Sequence, residues 1–276
     1  MASRFELFHL SLHEKIQGEL LDKKSEFNRE EWIRYAFSEK FEFNHRSVKV
    51  HWVPALNDEQ FIAGNLVRVH QRRRHKSPEE GAAEEIGQEW QGAIVVIDPT
   101  HHSDGQKVAF EQDLTLGKPL SVLNSLLKYI NSHPQTPYVI ESKSIFSEKS
   151  FWSWIEEQNF LLSKITFDFV TPNMFGSRSS LDNHLKEFGL IGASKVKMTL
   201  DEGSRDGGID AKSEEIRNAV DYSYKGGGSI SAKAKNNKTY KSKDKTLTTV
   251  LPKEAEDRSF GLKNLRKWFS GLLARE

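Results

Sequence analysis

The chain has 276 residues, a hydrophobic fraction of 37%, an aromatic fraction of 11%, 29% charged residues and a formal net charge of +1. That is enough apolar material for one large or two modest cores. No cysteine occurs, which excludes disulfides, thiolate metal sites and cysteine nucleophiles. No apolar run approaches the length of a membrane span, and "MASRFELFHLSLHEK" holds no stretch suited to a secretory signal, so a cytoplasmic location is expected.

In chain order, "RFELFHLSLH" is extended, with Phe5 and Leu7 in one phase and Phe8, Leu10 and Leu12 in the other. The flip implies a bulge or a strand buried on both faces. "REEWIRYAFSEK" spaces Trp32, Ile33, Ala36 and Phe37 as a helical stripe. "HRSVKVHWVP", "QFIAGNLVRVH", "GAIVVIDP" and "PYVIESKSI" read as strands, and "KVAFEQDL" as a weaker one. "GKPLSVLNSLLKYINSHP" reads as a helix, with Pro119 in its first turn and Leu123, Leu126, Leu127 and Ile130 on one side. "SEKSFWSWIEEQN" reads as a short helix. Trp32, Trp52, Trp90, Trp152 and Trp154 are expected in cores and domain interfaces.

A second unit begins near Leu161. "KITFDFV" alternates Ile165, Phe167 and Phe169 against Lys164, Thr166 and Asp168. "SSLDNHLKEFG" is helical, "SKVKMTL" alternates Val196, Met198 and Leu200 against Lys195, Lys197 and Thr199, and "IDAKSEEIRNAV" is helical. A basic hairpin follows, giving the order β-α-β-α-β-β. The expected fold is therefore α+β in two lobes, 1–160 and 161–250. An amphipathic helix over 251–276 closes the chain, with Leu262, Leu265, Phe269 and Leu272 as its stripe. It is expected to dock on the body, on a protein partner or on a second copy.

Charge is unevenly placed. From Tyr222 to Val250, Lys225, Lys233, Lys235, Lys238, Lys241, Lys243 and Lys245 stand against Asp244 alone. That segment carries +6, which leaves −5 for the rest of a +1 chain. A two-residue loop at Asn236-Asn237 would set Lys235 opposite Lys238, Lys233 opposite Tyr240 and Ala232 opposite Lys241. Lysines would then emerge on both faces of an exposed ribbon, hinged at Gly226-Gly227-Gly228. Such a ribbon suits the DNA major groove and phosphate contact without sequence readout. Tyr222, Tyr224 and Tyr240 would stack on bases of a single strand. A solvated edge strand kept from aggregating by lysine is the plainer alternative. A second patch, Arg72, Arg73 and Arg74 in "RVHQRRRHK", precedes an acidic run with Glu79, Glu80, Glu84, Glu85 and Glu89, and reads as an exposed loop whose halves cancel.

Catalytic signals are sparse. Glu141 and Lys143 form an E-x-K pattern after a hydrophobic strand, and with Asp98 or Asp113 they would make the Mg²⁺ site of a PD-(D/E)xK-like nuclease. Asp98, His101, His102 and Asp104 offer metal-ligand types in one loop. No P-loop, nucleophile-elbow or zincin motif occurs, and no cofactor is expected.

The segments "FDFVTPNMFG", "LDNHLKEFGLIGASKVKMTL" and "IRNAVDYSYKGGGSISAKAKNNKTYKS" follow a pattern of strand, helix, strand, helix and glycine-led basic hairpin. Over 161–250 the chain resembles the C-terminal part of bacterial phage-exclusion and defence proteins of the RexA and KwaB sort. The resemblance implies a non-enzymatic DNA-binding sensor or effector acting against phage, with a protein partner and as an oligomer. It carries no site residue across. A DNA-binding protein is thus the leading expectation, with a nuclease and a protein-binding scaffold as rivals.

Overall fold

A computed structural model describes residues 3–15, 27–100, 102, 105–134, 136–171, 180–203 and 208–250. The C-terminal amphipathic helix expected over 251–276 lies outside these residues, as do His101 and Asp104. The described chain is α+β, with five helices and thirteen strands in two sheets.

The first sheet is antiparallel and curled. Its strands are β1 (Arg4–Glu14), β2 (Phe41–His45), β3 (Val48–Asn57), β4 (Ile62–His75), β5 (Glu84–Asp98), β6 (Gln106–Glu111), β7 (Tyr138–Ser144) and β13 (Thr248–Val250). β1 pairs with β6 on one side and with β7 and β13 on the other, and the order then runs β6-β5-β4-β3-β2. The sheet wraps two helices, α1 (Arg29–Ala36) and α2 (Pro119–Asn131). α1 forms where Asn28 and Glu31 cap each other reciprocally. α2 starts on Pro119 and buries Leu123, Leu126, Leu127 and Ile130. Each such side chain contributes about 1.5–3 kcal/mol. Trp52 is fully buried beneath them, its indole N–H donating to the Phe37 carbonyl at 3.1 Å.

The phase flip in β1 is burial on both faces. Phe8, Leu10 and Leu12 join the helix-covered core, while Phe5 and Leu7 join a smaller cluster with Phe61, Ala63, Val96, Ala109 and Ile145. That other side of β1 meets the second lobe, where Gly226 lies against the His9 ring.

The second sheet contains β8 (Leu161–Val170), β9 (Lys195–Asp201), β10 (Ile209–Asp210), β11 (Gly228–Ala234) and β12 (Thr239–Lys241). β8 is central, with β9 and β10 on one side and β11 then β12 on the other. Helices α3 (Glu148–Glu157), α4 (Ser180–Leu190) and α5 (Glu214–Tyr222) contribute Phe151, Ile155, Leu185, Ile216 and Val220 to the core beneath it. The expected element order over 161–250 is therefore present, with β10 added. The expected boundary is blurred at both ends. α3 packs into the second core although it precedes Leu161, and β13 returns to the first sheet. Among the described residues no helix is long and apolar enough to cross a membrane.

Candidate nucleic-acid interface

The basic hairpin differs from the expected one by a single residue of register. Ala234 and Lys238 close it, with Ala234 N–H donating to Lys238 O at 2.9 Å and Asn237 N–H to Ala234 O at 3.0 Å. The loop thus has three residues, and Asn237 takes the left-handed conformation that such loops need (φ 65°). Asn236 donates to Gln158 Oε1 at 2.8 Å and accepts from Lys238 N–H, which fixes the loop. The pairs become Ser231 with Lys241, Ala232 with Tyr240 and Lys233 with Thr239.

One residue of register exchanges the faces of a strand. Ile230, Ala232, Ala234 and Tyr240 therefore turn inward and are buried, while Lys233 and Lys241 turn outward. The free two-sided ribbon expected from the sequence is corrected: β11 is an internal strand between β8 and β12, with one face in the core. Base stacking by tyrosines is also corrected. Tyr240 is buried and lies 2.9 Å from Ser150 Oγ, and burial pushes its hydroxyl pKa up, with the Ser150 hydrogen bond opposing. Tyr222 packs edge-on against Phe169 and Tyr224 against Phe146. The glycine run is likewise no hinge. Gly226 has a positive φ of 94°, and a Cβ there would lie 2.7 Å from His9 Cγ.

The outward face of the second sheet is a polar plane. One cross-strand row reads Thr239, Lys233, Lys164 and Asp201; the next reads Lys241, Ser231, Thr166 and Thr199; a third reads Ser229, Asp168 and Lys197. Lys164 pairs with Asp201 at 3.2 Å, a link that, with the Gly203 N–H donating first, holds the Asp201 carboxyl below its usual range. Lys197, Lys233, Lys238, Lys241, Lys243 and Lys245 are exposed and have no ion pair among the described residues. Two other lysines of the basic segment are engaged: Lys225 with Asp221 at 2.7 Å and Lys235 with Glu202 at 3.3 Å.

Sequence reasoning passed over Lys164, Lys195 and Lys197 as members of this face. The signal was present in "KITFDFV" and "SKVKMTL", where lysine and threonine occupy the phase opposite the core residues. Only the pairing of β8 with both β9 and β11 shows that the polar phases of three strands coincide.

At the lobe junction the plane runs into β7. Lys195 reaches Glu141 at 2.8 Å, and Lys143 approaches Asp168 at 3.7 Å. Lys143 is buried, and loss of hydration pushes its pKa down; Asp168 opposes this and Lys243 adds to it. Asp98, Lys107, His9 and Lys143 occupy one buried row across β5, β6, β1 and β7.

The nuclease constellation is not assembled in this geometry. β6 and β1 lie between Asp98 on β5 and Glu141 on β7, three strand spacings or about 14 Å. One cation cannot bridge that gap. Asp98 accepts from Thr100 N–H at 3.0 Å and lies 2.7 Å from His102 Nε2. Asp113 accepts from the backbone of Thr115 and Leu116. Among the described residues no three His, Asp or Glu side chains are grouped to hold a metal.

His13, on the same strand face as His9, sits beside Glu141. Burial pushes its pKa below the ordinary value, Glu141 opposes, and Arg29 and Lys195 add to the depression. Its Nε2 is buried without a hydrogen-bond partner among the described residues. A histidine with a depressed folded pKa contributes stability that is present above the unfolded value of about 6.5 and lost as pH falls through the folded value. Thermal unfolding between pH 8 and 5 is therefore expected to show the midpoint of His13→Gln falling less than that of the parent.

The arginine patch lies on a different element. β4 and β5 pair from Ile62–Ile97 to His75–Glu84, so the expected exposed loop is a long two-stranded ribbon. Arg72, Arg73 and Arg74 are exposed on it, and each faces a carboxylate: Arg72 meets Glu89 at 3.5 Å, Arg73 meets Glu84 at 3.9 Å, and Arg74 also contacts Glu89. The cancellation of charge expected between the two halves is thus cross-strand pairing. This patch shares no sheet with the lysine plane.

No protein-family model matches the chain, and no curated protein or solved structure matches it at a significant level.

Proposed function

We propose that the outward face of the second sheet, extended by Lys238, Lys243 and Lys245, binds DNA through its phosphate backbone, without strong sequence readout and without cleaving it. The observation that carries this reading is the set of six exposed lysines that form no ion pair among the described residues, three of which, Lys197, Lys233 and Lys241, stand on one sheet face rich in hydroxyls. Lysine meets phosphate as a point charge and releases counterions, which supplies affinity independent of base sequence. Thr166, Thr199, Ser231 and Thr239 add neutral donors between the ammonium groups. The tyrosines near the segment are packed inward, so base stacking has no platform there. That favours a duplex, whose bases are already stacked, over a single strand. The separation of Asp98 from Glu141 weighs against the nuclease alternative.

Fluorescence anisotropy with two unrelated 20-base-pair duplexes tests the proposal. Equal affinity for both is expected, with a loss of about a thousandfold between 50 and 200 mM salt. A strong preference for one sequence, or no binding at 50 mM salt, would overturn it. Tighter binding to duplex RNA would move the assignment from DNA to RNA.

A further inference from the structure

A groove of about 550 Å³ opens between α3 and α5, in the helical layer that contributes to the core of the second lobe rather than on its lysine plane. Its walls come from local chemistry. Just past α3 come two consecutive left-handed residues, Asn159 (φ 53°) and Phe160 (φ 59°), and Phe160 N–H turns back to the Ile155 carbonyl at 3.0 Å. A ring-bearing residue adopts this conformation only at a cost, roughly 1–2 kcal/mol. It sets the Phe160 ring 4.2 Å beneath Lys212 Nζ. On α3, the Trp152 indole N–H donates to Glu148 at 2.8 Å, and its ring stands edge-on to Phe151, so the plane of the indole is fixed.

The charges in the groove are unequally committed. Glu148 is engaged by Trp152, and Asp221 by Lys225 at 2.7 Å. Lys212 and Arg217 have no carboxylate partner among the described residues. Two cations with no ion pair among the described residues and an anchored indole therefore share one cavity, with the Glu148 carboxylate held at its edge by the indole N–H. A plain anion would leave the indole wall unused, and a neutral aromatic molecule would leave both cations unmet. We propose that this groove binds a nucleotide, with its base on Trp152 and its phosphates on Lys212 and Arg217. The proposal is independent of DNA binding by the sheet face. The same chemistry is offered by a free nucleotide or by the phosphorylated end of a single strand.

Isothermal titration of the full chain with ATP, AMP, adenosine, inorganic phosphate and a 5′-phosphorylated tetranucleotide separates these sources. The expected order is ATP over AMP over adenosine. Lys212→Gln/Arg217→Gln is expected to weaken ATP at least tenfold and leave adenosine unchanged. Trp152→Phe is expected to remove most of the ATP-dependent quench of tryptophan fluorescence. The variant Lys197→Gln/Lys233→Gln/Lys241→Gln is expected to keep ATP binding, which separates this groove from the sheet face. Binding of the tetranucleotide but not of ATP or AMP, kept in Lys197→Gln/Lys233→Gln/Lys241→Gln and lost in Lys212→Gln/Arg217→Gln, assigns the groove to a strand end. Equal binding of ATP and inorganic phosphate, unchanged ATP affinity in Lys212→Gln/Arg217→Gln, or no heat with any nucleotide would overturn the proposal. All the substituted residues except Trp152 are exposed, and a thermal unfolding midpoint matching the parent's confirms that each variant is folded.

Discussion

Gly226→Ala is expected to destabilise the chain by about 2–5 kcal/mol, the sum of a left-handed backbone cost of about 1–2 and an overpacking cost of about 1–3. The backbone there has φ 94°, which an L side chain rarely adopts. An added methyl would also lie 2.7 Å from Cγ, 2.8 Å from Cδ2 and 2.9 Å from Nδ1 of His9. His9 cannot give way easily, because it is buried and belongs to β1, which is packed on both faces. Against a total stability of about 5–15 kcal/mol the loss is large. Gly81→Ala is the control. Gly81 has φ 71° but nothing within 4 Å of the added carbon, so only the backbone cost applies. Urea unfolding of both variants isolates the contact with His9; equal losses in the two would show that the lobes are not held together at this point.

The second large effect concerns charge. Lys197→Glu/Lys233→Glu/Lys241→Glu is expected to weaken DNA binding at least a hundredfold at 100 mM salt, because three phosphate contacts become three repulsions. All three side chains are exposed, so circular dichroism and the unfolding midpoint are expected to stay near those of the parent. Lys225→Gln/Lys235→Gln, which alters lysines already engaged by Asp221 and Glu202, is expected to change affinity less than threefold. Arg72→Gln/Arg73→Gln/Arg74→Gln is expected to fall between, since Glu84 and Glu89 already offset those guanidinium groups. A larger loss from the arginine variant than from the lysine variant would transfer the interface to the β4–β5 ribbon.

The sequence announced its elements better than their assembly. The stripe of α2 and the alternation in β8 and β9 are local signals, and both elements are present as expected. The β4–β5 ribbon escaped notice because beyond Arg68 it has no core face, so no hydrophobic period marks it as strand. Ile86 and Trp90 are exposed on it and look in sequence like ordinary core residues. The hairpin failed through one residue. Asn236-Asn237 suggests a two-residue loop, whereas the bond from Asn236 to Gln158, 78 positions earlier, supports three. That slip turned a buried face of Ile230, Ala232 and Tyr240 into apparent neighbours of exposed lysine. The junction of Glu141 with Lys195 and of Lys143 with Asp168 depends on how two lobes meet, which no local pattern encodes.

The most direct test of the lysine plane is the slope of log affinity against log salt for a fixed duplex, measured for the parent and for Lys197→Gln/Lys233→Gln/Lys241→Gln. Six phosphate contacts give the parent a slope of about −5, and removing three charges should make it shallower by about 3 units. A variant that loses affinity at an unchanged slope, or that keeps both, would contradict phosphate contact by this face.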